Sequence, residues 1–154
     1  MKNLLHSFKY AFHGLWDSLN ERNMRIHIVA MVTVVLFSLL FDLTAGEYCI
    51  LILTIASVMA AELFNTAIEA ITDLASPNRH DLARIAKDTA AAGVLILSIA
   101  AVIIAVFIFW DKDVFNVLYD FFSFSIWVPI AVIVYIIVCC IFIFSAKKKR
   151  KKNI

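Results

Sequence analysis

Glycine and proline are almost absent from this chain. Its 154 residues include three glycines, Gly14, Gly46 and Gly93, and two prolines. Glycines this isolated exclude a P-loop and a kinase-type glycine-rich loop, which both need several close together. The three cysteines, Cys49, Cys139 and Cys140, lie in apolar runs with neither C-x-x-C nor zinc spacing. They read as small hydrophobes in helices, so neither a disulfide framework nor a zinc site is expected. Charge is scarce as well, at 17% of residues, and the net charge is only +2. What fills the chain instead is hydrophobe: 63% of residues are apolar and the mean hydropathy is +0.90. An apolar chain with few helix breakers fits spanning helices, which satisfy their own backbone groups inside lipid. The expected fold class is an all-α integral membrane protein.

The opening run MKNLLHSFKYAFHGLW has no small-residue cleavage site and no compact apolar core, so it does not read as a signal peptide. Over residues 4–19 the large apolar side chains fall at Leu4, Leu5, Phe8, Phe12, Leu15, Trp16 and Leu19. That spacing predicts an amphipathic helix lying on the membrane surface. After the polar run NERNMRIH, residues 28–41 form a first span of only 14 residues, against the ~20 a bilayer needs. It must borrow residues at its ends, or the bilayer must thin. DLTAGE reads as a turn, and a second span covers residues 48–71. Residues 72–88 read as a basic loop broken at Pro77 and Asn78, and residues 89–110 as a third span opening on the small residues TAAAG. DKDVFNVLYD reads as a polar connection, residues 125–145 as a fourth span, and the chain closes on KKKRKKNI. Lysine and arginine concentrate in the N-terminal segment, the 72–88 loop and the tail, which share one side if there are four spans. Both termini are therefore expected in the cytoplasm. The tail suits a topological stop signal and would also attract anionic lipid head groups.

One stretch of the second span does not belong in lipid. In AELFNTAIEAITD, residues 61–73, Glu62, Asn65, Glu69 and Asp73 are separated by three, four and four positions. On a helix they form one stripe, with Glu62 ~13 Å in from the span's end near Ile71. A carboxylate at membrane depth costs a few kcal/mol and marks function by default. Glu62, the deepest, is the candidate general base. Glu69, nearer the aqueous side, is a candidate for Mg²⁺, which takes hard oxygen ligands and arrives with phosphates. Asn65 can donate and accept between them. Glu21, ahead of the first span, and Lys87 and Asp88, opening the third, complete a cluster suited to Mg²⁺ and a nucleoside triphosphate. Asp88 would also serve as a plain helix cap and Lys87 as a topology marker.

NERNMRIH, AELFNTAIEA and ARIAKDTAAAGVL, taken in order, resemble the prokaryotic diacylglycerol kinase family in its undecaprenol kinase branch. The resemblance covers residues 4–110 and implies a small homotrimeric lipid kinase of the bacterial plasma membrane using Mg-ATP. It implies a kinase-like unit over residues 1–110 and an added helix with a basic tail over residues 111–154. By the resemblance Glu62 is the catalytic base, and Glu21 and Glu69 hold the metal. Lys87 and Asp88 contact the nucleotide together with Glu21 and Glu69, with weaker nucleotide positions at Tyr10, Asn78, Arg79 and His80. Asn65 and Asp73 are supporting residues, and each site is shared between protomers. Diacylglycerol-specific relatives carry a serine soon after the A-K-D aspartate. Here the run is Thr89, Ala90, Ala91 and Ala92, which points to undecaprenol over diacylglycerol as the lipid alcohol.

Two other classes compete. A small transporter or proton relay also places carboxylates inside a membrane, but it needs polar groups through the whole depth, and the outer halves of these spans look inert. A membrane scaffold would use the basic tail as its interaction element. Nucleic acid is not an expected partner.

Overall fold

The computed structural model describes residues 2–76, 80–110 and 112–146, with side chains from residue 4 onward, and among them every regular element is a helix. In chain order these are α1 (Lys2–Ser18), α2 (Arg22–Ser38), α3 (Ala45–Ala75), α4 (Asp81–Trp110), α5 (Val114–Ser123) and α6 (Trp127–Phe144). Helices α3, α4 and α6 are each long and apolar enough to cross a membrane. Helix α2, at 17 residues, is about 25 Å long, short of a ~30 Å hydrocarbon core. The protein is thus a multi-pass, all-helical membrane protein. Helix α1 is amphipathic as expected and exposed along its length except at Ser18, which is buried.

Three boundaries differ from the sequence reading. Helix α4 begins at Asp81, eight residues before the expected span, so DLARIAKD is helix and not loop. Its charges are spaced for a helix surface: Arg84 and Asp88 pair at i, i+4, 3.1 Å apart. Asp88 therefore sits two turns inside the helix and is not its cap. Helix α3 likewise runs to Ala75, beyond the apolar stretch. The segment read as a polar connection contains α5, whose start at Asp113 adopts a left-handed conformation that aspartate tolerates. Pro129 sits in the first turn of α6, where a missing N–H costs nothing. Residues 147–154, the basic tail, lie outside the described residues, as do Asn78 and Arg79.

Helices α3 and α4 pack along one another, with α2 against α3, α6 against α2, and α1 touching α3. The core lies at the end of the bundle where α2 turns into α3. Phe41, Leu51, Ile108 and Phe109 are buried there, and Phe37 packs edge-on to Phe41 and Phe109 at ring separations of 5.0 and 4.9 Å. Above this core Thr44 caps α3. Its hydroxyl accepts from the Glu47 amide at 3.3 Å, and the Glu47 carboxylate accepts from the Thr44 amide at 2.7 Å. The T-x-x-E spacing of this reciprocal capping box lies within the run that reads as a turn. Lys112 closes the same end with a 3.1 Å ion pair to Glu47. Thr44→Ala removes the hydroxyl half of the box, keeps the amide half, and is expected to lower stability by about 1 kcal/mol. Reversible SDS unfolding of the detergent-solubilised protein measures the loss.

Candidate functional site

The polar stripe of α3 survives folding, and α2 supplies the wall that faces it. Glu62 and Asn65 are 2% and 4% exposed. A carboxylate and an amide cannot face hydrocarbon without loss, so they face the polar first turn of α2. Glu21, Arg22 and Asn23 from α2 and its entry meet Glu62, Asn65, Thr66 and Glu69 from α3 around a cavity of about 190 Å³. Glu21 holds its place as the extended residue that starts α2. Asn65 donates from Nδ2 to Glu69 Oε1 at 3.4 Å, a helical i, i+4 contact, while its buried Oδ1 has no partner among the described residues. The structure therefore brings together Glu21, Glu62, Asn65 and Glu69, four of the residues singled out from the sequence.

The remaining candidates fall outside the cavity lining. Lys87 forms an ion pair with Asp73, one turn beyond Glu69, tying α4 to the last turns of α3. Asp88 pairs with Arg84 on the exposed face of α4. His80 is exposed, and its Nδ1 accepts from the Leu82 amide at 3.2 Å. Tyr10 is 70% exposed on α1, with His6 as a ring neighbour at 6.5 Å.

One neighbour of the site was not singled out from the sequence. His27 Nε2 lies 4.0 Å from Glu62 Oε2, too far for a direct hydrogen bond but next to the deepest carboxylate. It ends the NERNMRIH run six residues after Glu21, which puts it nearly two turns deeper on α2. That depth was the available signal. His27 also begins an apolar groove of about 220 Å³ that runs away from the polar cavity past Met31, Val58, Leu51, Ser98 and Ala105. The polar cavity and the apolar groove are thus neighbours, one lined by Glu62 and the other by His27.

Between Glu62 and Cys49 on α3, the polar side chains are Thr54 and Ser57, and each hydroxyl donates to its own helix, to the Ile50 and Leu53 carbonyls at 2.7 and 2.8 Å. The acidic path stops at mid-membrane, which argues against a relay running through the bilayer. No group of three His, Cys, Asp or Glu side chains among the described residues is close enough to enclose a metal ion by itself. Two carboxylates with a spare amide oxygen form an open arrangement of the kind Mg²⁺ occupies when phosphates and water complete its shell.

Comparison with known proteins gives concordant results. A family model described as prokaryotic diacylglycerol kinase matches residues 9–109. A diacylglycerol kinase of Synechocystis is 45% identical over 104 residues, covering 66% of this chain and 59% of that protein, so less than two thirds of that relative is spanned. The undecaprenol kinase of Bacillus subtilis is 35% identical over 113 residues, covering 73% of this chain and 92% of that protein. A diacylglycerol kinase of Escherichia coli K12 is 36% identical over 103 residues, covering 66% and 84%. Helix α6 lies outside the matched region.

Three carboxylates around one small cavity repel one another, a cost that active sites commonly carry. Glu62→Gln is therefore expected to raise the thermal unfolding midpoint, read by intrinsic fluorescence in detergent. An unchanged or lower midpoint would show that the charges are already compensated.

Proposed function

The chain belongs to the prokaryotic diacylglycerol kinase family, and on that premise we propose that it transfers the γ-phosphate of ATP to the hydroxyl of a membrane lipid alcohol, undecaprenol first among them. The observation that carries the reading is the meeting of Glu21, Glu62, Asn65 and Glu69 in one cavity, beside an apolar groove whose lining residue His27 lies 4.0 Å from Glu62. Such an arrangement suits an acceptor with a polar head on an apolar chain. The chain follows the groove from His27, and the hydroxyl reaches Glu62.

In this reading Glu62 accepts the proton of the lipid hydroxyl. The freed oxygen forms a bond to the γ-phosphorus, the bond from that phosphorus to the β,γ-bridging oxygen breaks, and ADP leaves. Proton removal by a placed carboxylate is worth roughly 10²–10⁴-fold in rate. Glu21 and Glu69 would hold Mg²⁺, with the unpartnered Asn65 Oδ1 as a further oxygen. When bound, the ion supplies charge compensation for the phosphates. Lys87 leaves Asp73 to meet the nucleotide and offsets charge on the transferred group.

The basic end, with Arg22, Arg84 and Lys87, faces the cytoplasm where ATP is, following the positive-inside rule. Assembly as a homotrimer belongs to the same reading. The small residues Ala91, Ala92 and Gly93 are exposed on α4, and a Cβ added at Gly93 would meet nothing within 4 Å, so another helix can approach closely. A neighbouring protomer would bring its Tyr10 to the site. Undecaprenol is favoured by the Thr89-Ala90-Ala91-Ala92 run and by the match spanning 92% of the Bacillus undecaprenol kinase. Diacylglycerol is the second reading, favoured by the 45% identity to the Synechocystis protein of that name.

The purified full chain, incubated with labelled ATP and either lipid, is expected to phosphorylate undecaprenol faster. Preference for diacylglycerol would replace the first reading with the second. Glu62→Gln should lower the rate on the preferred lipid by at least about 100-fold, and full activity in that variant would remove Glu62 from the role of base.

A further inference from the structure

Helix α6 lies beyond the family match, yet it is fastened to α2 at the functional end of the bundle by one side chain. Arg25 donates from Nη1 to the Phe142 carbonyl at 2.7 Å and to the Ser145 hydroxyl at 2.8 Å, and its guanidinium lies over the Phe142 ring, 4.9 Å from the centroid. From Nε the same side chain donates to the Leu19 carbonyl at 2.5 Å. Phe142 and Ser145 close α6, and Leu19 immediately follows α1. Arg25 thus sits between the C-terminal ends of two helices, where unpaired carbonyls concentrate and a cation is favoured. A rigid fork of donors can serve both at once.

The contact is aligned along the two helices. Thr33 and Tyr135 hydroxyls meet at 2.8 Å, eight residues from Arg25 on α2 and seven from Phe142 on α6, so the helices run antiparallel in matching register. Within lipid these polar ends find partners only in each other and in their own helix, which holds α6 in place.

Arg25 also contacts the turn that carries Glu21. Its side chain holds the Leu19 carbonyl, and its backbone amide donates to the Glu21 carbonyl at 3.3 Å, so both carbonyls flanking Asn20 are tied to one residue. We propose that Arg25 is a positioning residue through which α6 sets the placement of Glu21 on the wall of the polar cavity, so that α6 tunes divalent-cation use and is more than an anchor. The inference rests on the reading of Glu21 as a metal ligand given above.

The test uses the full chain with Arg25→Lys, which keeps the charge and loses the fork, and with the double change Phe142→Ala and Ser145→Ala on α6, which leaves every cavity residue in place. Mn²⁺ binding in the presence of a β,γ-methylene ATP analogue is followed by electron paramagnetic resonance, and the Mg²⁺ dependence and lipid KM are measured beside it. Both variants are expected to weaken Mn²⁺ binding and raise the half-saturating Mg²⁺ on the order of tenfold, the scale for outer supports of a metal site, with lipid KM unchanged. Variants that bind Mn²⁺ like the parent while losing only thermal stability or turnover overturn the inference and leave the metal reading intact. A parent chain that binds no Mn²⁺ overturns both.

Discussion

A carboxylate cannot rest against hydrocarbon, and much of this molecule follows from that constraint. Glu62 and Asn65 lie well inside the longest helix and are almost fully covered. Covering them requires a second polar surface at the same depth, and the entry and first turn of α2 provide one. That requirement brings α2 in as a short helix with a hydrophilic entry, and places the turn after α1 at the level of the site. Polar groups of both helices line the volume between them, which is a cavity and not a sealed core.

How much of this could be read from the sequence depended on whether the signal was periodic. The α3 stripe was legible because three- and four-residue spacing means one face whatever the surroundings. The amphipathic α1 was legible for the same reason. Helix ends were less so. Residues 81–88 are polar, and polarity was taken for loop, although Arg84 and Asp88 were already at helical spacing. The short α5 was missed because its apolar side chains are interrupted by Asn116 and Asp120. Long-range pairs left no trace in the linear chain: the ion pair of Lys87 with Asp73, the approach of His27 to Glu62 and the docking of Arg25 on α6 each join residues from different helices.

The two ends of the bundle are held by different means. At the α2–α3 turn, stability comes from aromatic rings packed edge to face, with a capping box and a lysine closing the top. At the opposite end the joints are ionic or hydrogen-bonded: Asp73 with Lys87, Arg84 with Asp88, and Arg25 with two helix termini. Exposed ion pairs such as Asp73 with Lys87 and Arg84 with Asp88 contribute little to stability. The frame of the bundle therefore rests on its apolar end and on the helix packing, not on these pairs.

The Arg25 joint also orders events in time. Ser145 follows Arg25 by 120 residues. At the pace of synthesis, about 5–20 residues per second, roughly 6–24 s separate the appearance of the two halves of that contact. Helices α2, α3 and α4 can enter the membrane and pack during this interval, before the Arg25 contact with α6 exists. The link from the turn bearing Glu21 to α6 therefore forms only after the helices of the family-matched region have been made.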